Sequence, residues 1–347
     1  MGKKSSLVQW SEYLGLRAFA SLLHCLDINQ NLHFAASVGS LFYQMNPRRR
    51  ERAEQNIRLS FPDLPPPEVS DIAERSMQHM FQLFMVDALV MPRLLTPASW
   101  PQHVRLSNVE PVIDRLMRHE PVILVTGHLG NWEVLGYTFS VAGFQTHAVA
   151  RPLDNRLLND WLLGIREGQG MKIVTKWGAS PILQETLRSG GRVGFIADQN
   201  AGDHGFFVPF FGRLASSYKS IGLLAMRYEV PVIVGGGIRI NGRFEYEAAC
   251  EDIIHPEDWA SQPDPLFYIS ARYSRALEQI ISRHPDQYLW LHRRWKSRPP
   301  HERRGEPIPD RLVERIRQLP WMTEEELDLI VERSNAEARG GVDAITR

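Results

Sequence analysis

A chain of 347 residues with 40 Lys and Arg against 40 Asp and Glu can bury a large core and has no global charge for holding nucleic acid. Its two cysteines, Cys25 and Cys250, lie far apart and offer neither a disulfide framework nor metal-ligand spacing, which fits a reducing compartment. Lys3 and Lys4 are followed by Gln9, Glu12 and Arg17, so no secretory leader of the usual form is read, and no run reaches the roughly 18–20 apolar residues of a spanning helix.

Helices are expected over residues 12–26 and 32–43, with Arg17, His24, Asp27 and the polar run 29–31 breaking the apolar stretch. The pair is either a hairpin packed on the main domain or an interfacial element with one face in lipid. The basic run Arg48-Arg49-Arg50-Glu51-Arg52 is either a solvated helix face or a contact for anionic headgroups. Pro65-Pro66-Pro67 marks a loop. A helix follows over 68–91. Its stripe of Ile72, Met77, Met80, Phe81, Phe84, Met85 and Leu89 is core or the lining of an acyl groove.

From residue 104 helices and strands alternate. Helices are read at 109–117, 132–142, 155–167, 181–188 and 219–228, and strands at 122–125, 145–150, 172–175, 192–197 and 230–234. Alternation with short connections predicts an α/β fold with a mostly parallel central sheet flanked by helices. Asn241-Gly242 predicts a hairpin between 237–240 and 243–248. A helix at 267–282 and a last strand at 288–291 follow. The tail carries helices at 309–318 and 324–338, the second opened by a Thr323/Glu326 capping box. The chain thus divides into an N-terminal helical, membrane-associating segment (1–50), an α/β domain (51–300) and a helical tail (301–347).

Four polar loci fall at strand ends, where open α/β sheets bind ligands: His128 with Glu133, Arg151, Asp198-Gln199, and the run 292–296. Asn131 is a good N-cap for the helix after His128. A turn between them would fold Glu133 onto the His128 imidazole. The carboxylate would hold the Nδ1 proton and leave Nε2 to take one from a hydroxyl. The competing readings are a histidine that merely hydrogen-bonds in a turn and a metal ligand. The second lacks any further histidine or cysteine at ligand spacing, and the site residues include no metal ligand. No Gly-x-Ser-x-Gly elbow is present.

The segment Thr126-Gly-His-Leu-Gly-Asn-Trp-Glu133 resembles the His-x4-Asp/Glu motif of glycerolipid-type acyltransferases. Its flavour is that of the bacterial lipid A biosynthesis (lauroyl/myristoyl) acyltransferase family. Further blocks agree in order: Asn56-Ile-Arg-Leu-Ser-Phe-Pro62, Arg151-Pro-Leu-Asp-Asn155, Ala197-Asp-Gln199 with Val208-Pro-Phe-Phe-Gly212, and Trp290-Leu-His-Arg-Arg-Trp-Lys-Ser-Arg-Pro299. The resemblance covers about residues 10–300 and leaves the tail outside.

The resemblance implies transfer of a fatty acyl chain from a thioester, on acyl carrier protein or coenzyme A, to a hydroxyl of a lipid A precursor or related membrane glycolipid. No bound cofactor is implied. The place would be the cytoplasmic face of the inner membrane. His128 would be the base and Glu133 its orienting partner. Arg151 would bind phosphate or the oxyanion, and Asp198 and Gln199 would position Arg151 or the acceptor. Arg293, Arg294 and Lys296 would grip phosphate, unless they are only the solvated end of a strand. The nearer alternatives are another lipid acceptor (a phospholipid, a phosphoinositide mannoside or an aminolipid). A thioesterase and a non-catalytic lipid-binding paralogue are more distant ones. The apolar stretch Phe206-Phe207-Val208-Pro209-Phe210-Phe211-Gly212 is either a buried cluster or a lid touching the acyl chain.

Overall fold

A computed structural model describes residues 5–168, 170–175 and 178–340; Lys3, Lys4 and the end of the tail lie outside the described residues. Strands β1 (Val104–Ser107), β2 (Val122–Thr126), β3 (Thr146–Ala150), β4 (Lys172–Thr175), β5 (Arg192–Ile196), β8 (Val232–Arg239) and β9 (Tyr246–Ile254) build one sheet in the order β1-β9-β8-β2-β5-β3-β4. The five strands from β8 to β4 run parallel. β9 pairs antiparallel with β8, and β1 pairs parallel with β9 at the edge. The hairpin turn uses Asn241 at φ +57° and Gly242 at φ +63°, the left-handed pair that an Asn-Gly turn supplies.

β2 is central, and its side chains alternate between two cores. Ile123 and Val125 join the large core, while Val122 belongs to a smaller one that Leu124 packs against. The large core takes in helices α9 (Ala179–Arg188), α10 (Lys219–Tyr228) and α12 (Pro265–Arg283). Helices α6 (Glu110–Met117) and α7 (Trp132–Val141) face the other side, with α8 (Arg156–Glu167) beyond.

The N-terminal helices α1 (Ser6–Cys25) and α2 (Ile28–Met45) are separated by Asp27, whose side chain accepts from the backbone of Asn29 and Gln30 and so caps α2. α1 docks on α8, where Tyr13 packs edge-on against Trp161 and Asn155 Nδ2 donates to Gln9 O at 3.0 Å. α3 (Pro47–Ser60) and α4 (Pro66–Gln82) follow. The helix expected over 68–91 is not continuous. A single π-helical turn, Leu83–Asp87, separates α4 from α5 (Ala88–Leu94). That turn re-aims the chain so that Asp87 is fully buried.

One other expectation changes, and one open alternative is decided for the buried cluster. The residues at 288–291 form no strand. Tyr288 makes one antiparallel bridge with Leu129, and the chain then turns, with Trp290 Nε1 donating to Pro285 O at 2.7 Å. The Phe-rich stretch is no lid. It forms β6 (Phe206–Phe210), which pairs with β7 (Arg213–Ser217) in a separate two-stranded sheet, and Phe210 and Phe211 pack on Trp295, Phe61 and Trp290. Short helices α11 (Pro256–Ala260) and α13 (Pro300–Arg304) and the tail helices α14 (Asp310–Arg317) and α15 (Glu324–Gly340) complete the chain. The Thr323/Glu326 capping box forms, with both reciprocal bonds present.

Candidate active site

The site begins with strand register. β2 and β5 are parallel neighbours, and Thr126 stands opposite Ile196. The ladder runs one step further, Ala197 N donating to Thr126 O at 2.8 Å. Two residues beyond each strand end, His128 and Asp198 are therefore level with each other. Asp198 Oδ1 lies 2.8 Å from His128 Nδ1, and Oδ2 accepts from the His128 backbone N–H at 2.9 Å.

The loop carrying His128 is fixed on all sides. Gly130 adopts φ +52°, and a Cβ there would meet Gly237 O at 2.2 Å, so only glycine fits. Gly130 N donates to Gln287 O, Asn131 N to Gly237 O, and Leu289 N to His128 O. Asn131 caps α7 through Val134 N at 3.0 Å, and its Nδ2 donates to Asp87 at 2.8 Å. Asp87 also receives the guanidinium of Arg239, which cancels the buried charge. From α4, His79 bonds Gly130 O through Nε2 at 2.8 Å. Burial first, then the Arg239 charge, push the His79 imidazole down to about 3, so it is neutral and donates this bond.

Asp198 is buried, and burial alone would raise its carboxyl. The His128 imidazole and its hydrogen bonds outweigh that and hold the group well below the usual carboxylate range, so Asp198 is an anion. With Nδ1–H donating to the Asp198 carboxylate, Nε2 of His128 carries the lone pair. The Gln199 amide Nε2 lies 3.3 Å from it and can donate to it. Trp132 packs edge-on against the His128 ring at 4.8 Å, and His292 sits at 4.4 Å. Burial, then the His128 charge, lower His292 to about 4, so this second imidazole is neutral.

His128 opens into a cavity of about 570 Å³ between the sheet and α7. Its sheet side includes Leu124 and Thr126, Thr146 and Ala148, Gly194 and Ile196, Ile233 and Gly235, and Ala248 and Cys250. The glycines and alanines on that face leave space open, and Phe139, Phe144, Val112 and Ile113 close it from the opposite side. His128, Trp132, Glu133, Arg151, Arg166, Gln199 and His292 supply polar groups and ring edges in its lining.

The sequence-predicted residues part company here. His128, Asp198 and Gln199 come together. Glu133 does not orient His128. It leaves the first turn of α7 toward the end of α8, where Arg166 grips it with two hydrogen bonds, Nε to Oε2 at 2.8 Å. The carboxylate on Nδ1 is Asp198 instead, because strand register brings it alongside. Arg151 stands at the cavity rim, largely exposed, 3.9 Å from Asp154. Arg293 and Lys296 are exposed. Arg294 is buried and does not face a substrate. It donates to Ser216 O, Ser217 Oγ and Gln199 O, with Phe210 beneath its guanidinium. His292 belongs to the polar run 292–296 but had no role assigned from sequence, and Arg166 was missed, because nothing local marks the last basic residue of an amphipathic helix.

The family model for bacterial lipid A biosynthesis acyltransferases matches residues 3–297. A lipid A biosynthesis acyltransferase of Haemophilus influenzae is 26% identical over 300 residues, covering 84% of this chain and 91% of that one. The lipid A biosynthesis lauroyltransferase of Escherichia coli is 23% identical over 271 residues, 76% of this chain and 84% of its own. The palmitoleoyltransferase of the same organism is 24% identical over 273 residues, 76% and 83% respectively. The chain belongs to the bacterial lipid A biosynthesis acyltransferase family.

Proposed function

We propose that this protein moves a fatty acyl chain from a thioester, on acyl carrier protein or coenzyme A, to a hydroxyl of a lipid A precursor. The observation that carries the reading is the His128–Asp198 pair at the mouth of an apolar cavity. The cavity takes the acyl chain, and its mouth holds the thioester carbonyl beside Nε2. The acceptor oxygen attacks the carbonyl carbon as its proton passes to His128 Nε2. Asp198 stabilises the imidazolium. Arg151 at the rim steadies the oxyanion. The intermediate collapses, the C–S bond breaks, and the departing thiolate takes the proton back from His128. No acyl-enzyme and no bound cofactor enter the sequence. The relatives' names, as acyltransferase, lauroyltransferase and palmitoleoyltransferase of lipid A biosynthesis, support lipid A as the acceptor.

The acceptor lies in a membrane, and α1 and α2 suit that surface. Leu7, Trp10, Leu14, Leu22, Phe34, Leu41 and Met45 are exposed on them and Leu26 between them, and the basic start of α3 follows. Among the described residues no helix is long and apolar enough to cross a membrane, so the proposed attachment is interfacial, on the cytoplasmic face of the inner membrane.

The test is incubation of purified protein with radiolabelled acyl thioester and lipid A precursor in vesicles, beside His128→Ala. Label moving into glycolipid with the wild type and not with the variant is the expected result. Label released only as free fatty acid makes the protein a thioesterase, and equal transfer by His128→Ala removes the base assignment.

A further inference from the structure

On α3, Arg49, Arg52 and Asn56 recur three and four residues apart and therefore share one face. That face is turned to the segment behind the site. Asn56 is buried and donates from Nδ2 to Trp290 O at 2.8 Å and to His292 O at 3.1 Å. Arg293 comes next in the chain, and Lys296 N closes a turn onto Arg293 O at 3.2 Å. The charges that bear on half-buried Arg52 are Arg293 and Arg49, both of its own sign. Burial and these two cations lower the Arg52 guanidinium.

Among the described residues none of Arg49, Arg52, Arg293 and Lys296 has a carboxylate partner. Some other helical arginines do find a carboxylate within one turn, as with Arg58 and Glu54 on α3 itself, Arg75 and Asp71, or Arg118 and Asp114. Like charges held together without a counter-ion repel one another, and an arriving anion relieves that repulsion. A phosphate fits best, because its oxygens accept paired bonds from planar guanidinium groups.

We propose that Arg49, Arg52 and Arg293, with Lys296 at the edge, form a phosphate-binding site beside the reacting centre. It deepens the acyl-transfer reading and rests on it only for naming the phosphate as part of a co-substrate. That phosphate is carried either by the sugar headgroup of the acceptor or by the pantetheine arm of the donor. The partial burial of Arg52, on the face that Asn56 ties to His292, favours one seated group over a flat lipid surface.

The test reads binding without turnover, by calorimetric titration of the full chain, Arg52→Gln and Arg293→Gln. The probes are coenzyme A beside pantetheine, and a phosphorylated diglucosamine glycolipid in detergent beside its dephosphorylated form. One phosphate-bearing probe is expected to bind each variant about tenfold or more weaker, with its phosphate-free counterpart unchanged. Which probe responds identifies the source. Equal binding of both phosphate-bearing probes to wild type and variants overturns the site. So does a loss seen only with phosphatidylglycerol vesicles, which would make the cluster a bilayer contact. Arg293 is exposed, so its variant keeps the test valid if Arg52→Gln fails to fold. Phosphate binding that persists without acyl transfer would retain this site and reject the activity.

Discussion

At the scale of single residues, the two nitrogens of His128 have different neighbours, and that difference sets its chemistry. Asp198 faces Nδ1 and an amide faces Nε2, so the tautomer with a basic Nε2 is fixed from both sides. The two carboxylates of the region have separate jobs. Asp198→Asn is expected to lower kcat roughly 10³-fold with little change in the KM for the thioester, because the imidazolium loses its counter-ion and the tautomer its anchor. Glu133 instead neutralises Arg166 on the cavity wall. Losses from Glu133→Gln and Arg166→Gln are therefore expected not to add in the double variant, since either one breaks the same pair. Steady-state kinetics of the four proteins decide it. An Arg166→Gln protein with full activity beside a dead Glu133→Gln would mean that Glu133 acts on His128 after all.

At the scale of elements, most helices and parallel strands were legible because hydrophobic period and caps state them locally. β4 and α10 fall on the expected residues, and Asn155 caps α8 as an asparagine before a periodic run should. What was not legible depends on partners distant in sequence. β1 is four residues long and exists only through pairing with β9. The π-helical turn has no local signature, since Leu83–Asp87 continues a good helical stripe, and its reason is the burial of Asp87 against Arg239 and Asn131. The Asp198 contact was hidden for the same reason, being set by the β2–β5 register over 70 residues of separation. The seat of His79 on Gly130 gives this layer a measurable signature. Its folded value, about 3, lies below the ordinary 6.5, so the unfolded chain binds a proton that the folded protein refuses. The stability is complete above pH 6.5, falls as pH drops through that value, and stops falling near pH 3. His79→Gln keeps a donor for Gly130 O and removes the titration. Between pH 7 and pH 5 the wild type is expected to lose about 2 kcal/mol more than the variant in urea unfolding. Parallel losses would show that His79 protonates freely and is not locked on the loop.

At the scale of the whole molecule, the tail beyond the family match is wired into the fold that holds the site. Glu337 on α15 accepts from buried Arg213 Nε at 2.7 Å and pairs with buried Arg298. Arg298 also binds Glu302 at 2.6 Å and Leu214 O at 3.0 Å, and Arg333 donates to Leu59 O and Phe211 O. These bonds seize the backbone of the β6–β7 hairpin. Arg294 then links the same hairpin to Gln199, the residue on His128 Nε2. Removing Glu337 leaves Arg213 with no carboxylate bonded to it in a site where its side chain is 2% exposed. Breaking a buried pair from one side costs far more than the pair contributes, so Glu337→Ala should lower the unfolding free energy by about 3–5 kcal/mol. Adding Arg213→Met removes the stranded charge and should recover a good part of that loss. A Glu337→Ala protein within about 0.5 kcal/mol of wild type would match an ordinary surface substitution and make the tail an appendage. The larger loss, relieved by the second substitution, would make it a strut whose force reaches the base through the hairpin, Arg294 and Gln199.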